Sequence, residues 1–210
     1  MTIGPFGSTA PVIASPGPRY GAAVTASIAA PALVVCGAPA SGKSTLGRAL
    51  ATRLGAAILD QDVLTAPLVA VVSALLGSAD LDSPELAGAT RAARYETLTA
   101  GAEDNLRTGR PVVLVAPFSA ERRDPEAWAR LASRLDRAGG AATLVWLRLT
   151  GEQLLTRMRD RGAERDQAKL VDGAAYLARI DLTAPAVPHV AVDASDGVDQ
   201  QCARVLAELS

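Results

Sequence analysis

An α/β domain, with a parallel sheet covered by helices on both faces, is the fold class that this sequence predicts, and three observations carry it. Apolar runs at 32–37, 56–60, 112–116, 143–149 and 187–193 alternate with amphipathic stretches, and strands buried on both faces read as such runs. The first run passes through a glycine-rich turn directly into a helical pattern, the strand–loop–helix order of a crossover unit. The chain's 210 residues, 49% of them hydrophobic, suffice for one core that buries about 70% of the unfolded surface. Aromatics make up only 3%, so that core must be built from Ala, Val and Leu.

Taken in order, residues 1–31 are rich in Ala, Pro, Gly and Ser and carry one charge, Arg19. They lack a basic start followed by an apolar segment and read as a flexible tail ahead of a single domain at 32–210. After the first strand a helix is expected from Lys43 to about Arg53, with Gly55 as its stop signal. The second strand ends at Asp60, and the third starts only after residue 110. The interval 61–110 exceeds what a minimal crossover needs, so it is expected to hold a helical insertion that binds the acceptor. A helix over 63–76, interrupted at Pro67, opens the insertion; a second starts at Ser83-Pro84-Glu85, with Ser83 as N-cap, and reaches Arg107 before Gly109. The arginine-dense stretch within 151–169 precedes the fifth strand, and its 157–169 part is expected to form a lid.

The chemistry begins at Gly37-Ala38-Pro39-Ala40-Ser41-Gly42-Lys43-Ser44-Thr45, which fits the phosphate-binding pattern G-x-x-x-x-G-K-[ST]. Its glycines let successive backbone N–H groups turn toward phosphate oxygens, Lys43 reaches the β- and γ-phosphates, and the Ser44 hydroxyl suits Mg²⁺. A nucleoside triphosphate is the implied ligand. Only two lysines occur, Lys43 and Lys169, against 19 arginines, so a lysine in this loop stands out from the background.

Asp60-Gln61-Asp62 puts two carboxylates at alternate positions beside the loop. In an extended segment they point the same way, so one can hold Mg²⁺ while the other accepts a proton from an attacking hydroxyl. Each also suits a strand end or an N-cap. Arg157, Arg161 and Arg165 recur every four residues and would share one side of a helix, where guanidinium groups could close on the nucleotide. Arg159 lies off that face and reads as solvated. Arg122 and Arg123 after the third strand, and Arg91, Arg94 and Tyr95 in the insertion, are candidates for contacting the acceptor substrate; packing and helix initiation are their other reading.

Other classes are excluded or disfavoured. A formal net charge of −1 supplies no basic field for nucleic acid or an anionic membrane surface. The longest apolar stretches fall short of the roughly 18 residues that a membrane span needs. Cys36 and Cys202 lie far apart, which suits reduced thiols in a cytoplasmic protein, and the single histidine, His189, leaves no histidine metal cluster.

Together, the loop, the Asp-x-Asp pair and the arginine stretch resemble the small-molecule kinases of the P-loop superfamily, such as shikimate kinase, gluconate kinase and chloramphenicol phosphotransferase. Within that group the chain is similar to AAA-type ATP-binding proteins. In shikimate-kinase-like proteins an Asp-x-Asp stands at the same remove from the loop lysine as here, where Asp60 follows Lys43 by 17 residues. The resemblance implies a three-layer P-loop NTPase sandwich with strand order 2-3-1-4-5. It places Asp60 near Mg²⁺, Asp62 at the acceptor hydroxyl, Arg157 near adenine and Arg161 at the phosphates, with Arg165 extending that run. It also implies an adenine edge near residues 192–195. Ala116-Pro117-Phe118 stands where shikimate kinase has a triple glycine, which speaks against shikimate itself, and no carboxylate ends the third strand, which leaves Ser44 and Asp60 to anchor Mg²⁺.

The expectation is therefore an ATP- and Mg²⁺-dependent phosphotransferase acting on a hydroxyl of a small molecule, a metabolite or antibiotic-like compound. A P-loop switch or binding module, and a nucleoside or nucleotide kinase, are the alternatives. The absence of Asn-Lys-x-Asp removes the guanine-reading motif.

Overall fold

The computed structural model describes residues 29–77 and 83–209. Five strands, β1 (Ala30–Gly37), β2 (Ala57–Asp60), β3 (Val112–Val115), β4 (Gly140–Arg148) and β5 (Val190–Asp193), form one parallel sheet in the order β2-β3-β1-β4-β5. This is the predicted α/β P-loop sandwich with its predicted strand order. The sheet starts two residues earlier than expected, because the Ala30 N–H donates to the Gly139 carbonyl at 2.9 Å. Residues 30–31 thus belong to β1 rather than to the tail, and residues 1–28 of that tail lie outside the described residues.

Period-2 alternation along β1 divides its side chains between the two faces. Leu33 and Val35 join a core with Leu46 and Leu50 of α1 (Lys43–Leu54) and Cys202 and Val205 of α9 (Val198–Ala207). Ala32, Val34 and Cys36 pack on the other side, with Leu98, Ala102 and Leu106 of α3 (Pro84–Arg107) and Leu131 and Leu135 of α5 (Pro125–Arg137). Helix α1 lies so close to β3 that a Cβ on Gly47 would meet Val115 at 2.5 Å, which fixes the helix directly under the loop that precedes it.

The interval between β2 and β3 holds α2 (Gln61–Leu76) and α3. Ser83 caps α3 as its sequence suggests, accepting from the Leu86 N–H at 3.3 Å. Two expectations change here. Pro67 lies inside a continuous α2 instead of interrupting it; it removes the bond to the Val63 carbonyl, but Val63 is exposed, so water can take the place of the missing donor. The C-terminal half of α3 also covers the sheet as a core layer, so only α2 and the start of α3 stand out from the sandwich. Beyond β4 come α6 (Gly151–Arg161), α7 (Glu164–Val171) and α8 (Gly173–Leu177), built over a smaller apolar cluster of Leu149, Leu154, Met158 and Tyr176. The short α4 (Ser119–Arg123) follows β3.

Candidate active site

The carboxyl ends of β1, β2 and β3 open into a cavity of about 590 Å³, a volume suited to a small-molecule ligand. Its floor is the loop between β1 and α1. Gly42 caps α1 at φ 98°, a left-handed conformation that favours glycine, and so turns the first N–H groups of the helix toward the cavity. Pro39, Ala40, Gly42, Lys43, Ser44 and Thr45 line the cavity. Ala38 and Ser41 are buried in the loop, the Ser41 Oγ finding no hydrogen-bond partner among the described residues, and Gly37 ends β1 where a Cβ would come 2.9 Å from the Leu147 carbonyl.

Lys43 donates from Nζ to the Ala38 carbonyl at 2.7 Å, bending over its own loop. Burial pushes its pKa down to about 8, although the nearby Asp62 and Asp60 carboxylates pull the other way. An ammonium so poorly solvated gains strongly from any anion placed beside it.

Asp60 and Asp62 both line the cavity, but not by the alternation argument. Asp60 is the N-cap of α2, accepting from the Asp62 N–H at 3.2 Å, and Asp62 already lies in the helix's first turn. The pair is set by a strand-to-helix corner, where period 2 no longer applies. Asp60 is buried, and its Oδ2 finds no partner among the described residues. With the Ser44 hydroxyl lining the same cavity, that unsatisfied carboxylate oxygen fits a hard cation. Among the described residues no cluster of three or more acidic, His or Cys side chains could hold a metal unaided.

Asp62 is held from outside by Arg94, whose Nη2 donates to Asp62 Oδ1 at 2.7 Å while its Nε donates to Thr65 Oγ1 at 2.9 Å. Arg94 therefore braces the first turn of α2. Tyr95 accepts the Phe118 N–H on its hydroxyl at 3.1 Å and stacks edge-on to the Phe118 ring, pinning the turn after β3 where Phe118 takes φ 45°. Arg91 is exposed on α3. Arg122 is buried, its Nη2 donating to the Thr183 carbonyl at 2.6 Å and its guanidinium 6.0 Å from the centre of the Trp146 ring, and Arg123 bonds Asp181 at 2.8 Å. Burial raises the Asp181 pKa, but Thr183 and Arg123 outweigh it and hold that carboxyl well below the usual range. None of Arg91, Arg94, Tyr95, Arg122 and Arg123 lines the cavity.

The far wall comes from α6. A capping box starts it, with the Gln153 N–H donating to Thr150 Oγ1 at 3.2 Å and the Thr150 N–H to Gln153 Oε1 at 2.7 Å. Leu154 and Met158 anchor the helix, and Arg157 and Arg161, one turn apart, line the cavity. Arg157 donates to the Ser41 carbonyl at 3.2 Å and also to the Ala194 carbonyl, tying the loop to the turn after β5. Arg161 donates from Nε to Asp166 at 2.9 Å. Arg165 does not continue their face: Gly162 at φ 58° ends α6, so Arg165 falls on α7, and its side chain lies outside the described residues. The four-residue spacing was right for a continuous helix, but the left-handed cap at Gly162 overrides it. Asp166 and Lys169 of α7 join the lining. The sequence alone marks neither for the site; Asp166 is one of several acids in that stretch, and only its burial distinguishes it.

This sheet, with a phosphate-loop cavity at the carboxyl ends of its strands, defines a P-loop protein of the kinase-like class. Residues 33–183 match the AAA domain family, and the chain belongs to it. A shikimate kinase of Nitrobacter winogradskyi is 30% identical over 158 residues; the match covers 75% of this chain and spans 65% of that relative's length. Among solved structures, a gluconokinase from Sinorhizobium meliloti 1021 is similar in fold, with TM-score 0.55 and 22% identity over 85% of this chain and 91% of that one. The APS kinase of Mycobacterium tuberculosis, solved with AMPPNP and APS, gives TM-score 0.57 and 20% identity over 86% of this chain and 98% of its own. The shikimate kinase, the gluconokinase and the APS kinase are kinases by their descriptions, and P-loop kinases generally use ATP with Mg²⁺. No helix among the described residues is long and apolar enough to cross a membrane.

Proposed function

We propose that this chain transfers the γ-phosphoryl group of ATP to a hydroxyl on a small molecule. One observation carries the reading: a single cavity gathers Lys43 and Ser44 from the loop, Asp60 and Asp62 from the corner after β2, and Arg157 and Arg161 from α6. Phosphoryl transfer asks for those three groups, because its catalysis is almost wholly positioning and charge stabilisation.

In this reading the backbone N–H groups of the loop from Gly37 to Thr45, all but Pro39 having one, and the Lys43 ammonium hold the β- and γ-phosphates. Ser44 and Asp60 would hold Mg²⁺, which when bound neutralises charge on those phosphates. Asp62, fixed by Arg94 through one oxygen, aligns the acceptor hydroxyl with the other and takes its proton as the new P–O bond forms and the β–γ bridge breaks to release ADP. Arg157 and Arg161 neutralise charge on the transferring group, and α6 with α7 acts as the lid at 157–169. Arg165 would extend that lid. Arg91, Arg94, Tyr95, Arg122 and Arg123 reach an acceptor only through the walls they brace or by moving on binding. The 30% identity to a shikimate kinase supports a hydroxylated small-molecule acceptor.

Mass spectrometry of pooled hydroxylated metabolites, incubated with the chain and Mg²⁺–ATP, tests the assignment. A compound gaining one phosphoryl group, only with active chain, is expected. Hydrolysis to ADP and phosphate with no phosphorylated product would instead favour a switch.

A further inference from the structure

Helix α2 is built inside out. Its buried positions are the polar Gln61, Thr65 and Ser73, and Arg94 of α3 bonds the Thr65 hydroxyl. Its solvent side carries Val63, Leu64, Leu68, Val71, Leu75 and Leu76, each 42–81% exposed. These are six of the eight large hydrophobics exposed among the described residues, so the apolar surface is concentrated on this helix and not scattered.

The spacing has a definite form. Leu64, Leu68, Val71 and Leu75 follow each other by four, three and four residues, which keeps them on one line along the helix, as in the seam of a helix pair. Val63 and Leu76 flank that line. The six side chains offer roughly 600 Å² of apolar surface, at the upper limit for an isolated monomer. Two such faces together could bury at most roughly 1,200 Å², the lower edge of the range of specific protein interfaces.

We propose that this stripe is the interface of a two-fold dimer, α2 of one copy packing antiparallel against α2 of a second copy of this chain. A stripe of Leu and Val matches itself, as the same patch on both subunits of a two-fold dimer must. Asp62, the helix's one ionisable residue, lies at its start, so an antiparallel pair holds the two carboxylates at opposite ends and no like charges meet. A lipid surface fits less well, because the helix has no Lys or Arg to meet headgroups.

The test is the mass of the full chain in solution by sedimentation equilibrium from about 1 to 100 µM, where mass action resolves a dimer. Twice the chain mass of 21.5 kDa is expected at the upper end. The Leu68→Glu/Leu75→Glu variant should run as a monomer with unchanged far-UV circular dichroism, since both side chains are exposed and their loss opens no cavity. A native chain that stays monomeric across the range overturns the proposal, and its co-sedimentation with phosphatidylcholine vesicles would assign the stripe to a lipid surface instead. A dimer that survives the double substitution places the interface elsewhere and overturns it equally.

Discussion

In the proposed function, Lys43 is the residue on which binding and protonation meet. Its pKa of about 8, lowered by burial, means the free protein holds this proton more weakly than the unfolded chain does. The unfolded chain therefore binds more protons between about pH 8 and the ordinary lysine value, and the stability of the free protein should rise with pH through that window. Nucleotide affinity should move the opposite way. Phosphates favour the charged ammonium, so binding takes up a proton above about pH 8, and affinity weakens as the pH climbs further. Calorimetry of ATP binding in buffers of different ionisation enthalpy would read that uptake directly, and an affinity flat from pH 7 to 10 would exclude Lys43 as a phosphate ligand. Asp166 acts beside Arg161. It is buried, and its carboxylate fixes the Arg161 guanidinium at the cavity wall, so Asp166→Asn should lower kcat about 10- to 100-fold by loosening that group. The double variant with Arg161→Ala should be little worse than Arg161→Ala alone; full additivity of the two losses would mean that Asp166 does not act through Arg161.

At the scale of elements, α2 gives a stability prediction. Pro67 sits seven positions into a continuous helix and forfeits one backbone bond. Pro67→Ala restores it, and the urea midpoint should rise by the equivalent of about 1–3 kcal/mol; an unchanged midpoint would mean that the helix bends to accommodate the ring without cost. The same element shows what a sequence withholds. The phosphate loop is contiguous, and its spacing alone states its geometry, so it was legible residue by residue. Helix α1, its Gly55 stop and the Ser83 cap were equally local. The orientation of α2 was not, because a segment that is nearly all apolar has no contrast from which to read a buried face. The arginine series failed for a different reason. Four-residue spacing and the glycine at 162 were both visible, and they compete; the left-handed cap prevails, because a helix that ends cannot carry its periodicity onward. Asp62 lines the cavity for a reason other than alternation, since the chain turns into a helix one residue before period 2 would have placed it.

Across the whole molecule, alternating apolar runs sufficed for the class of fold, and the strand order followed from the resemblance. The site assembles only in three dimensions. Segments near residues 40, 60 and 160 meet because β1 and β2 flank β3 and end at the same edge, while α6 reaches back across the loop through Arg157. Their meeting in one cavity has a direct assay. Mg²⁺- and ATP-dependent ADP release would be followed across a panel of hydroxylated metabolites, nucleosides and antibiotics, with Asp62→Asn run beside the native chain. The account predicts one acceptor class that raises turnover far above the acceptor-free rate, and a loss of that stimulation by about 10²–10⁴ in the variant with ATP binding retained. Stimulation that survives in Asp62→Asn, or ADP release that no acceptor alters, would contradict it.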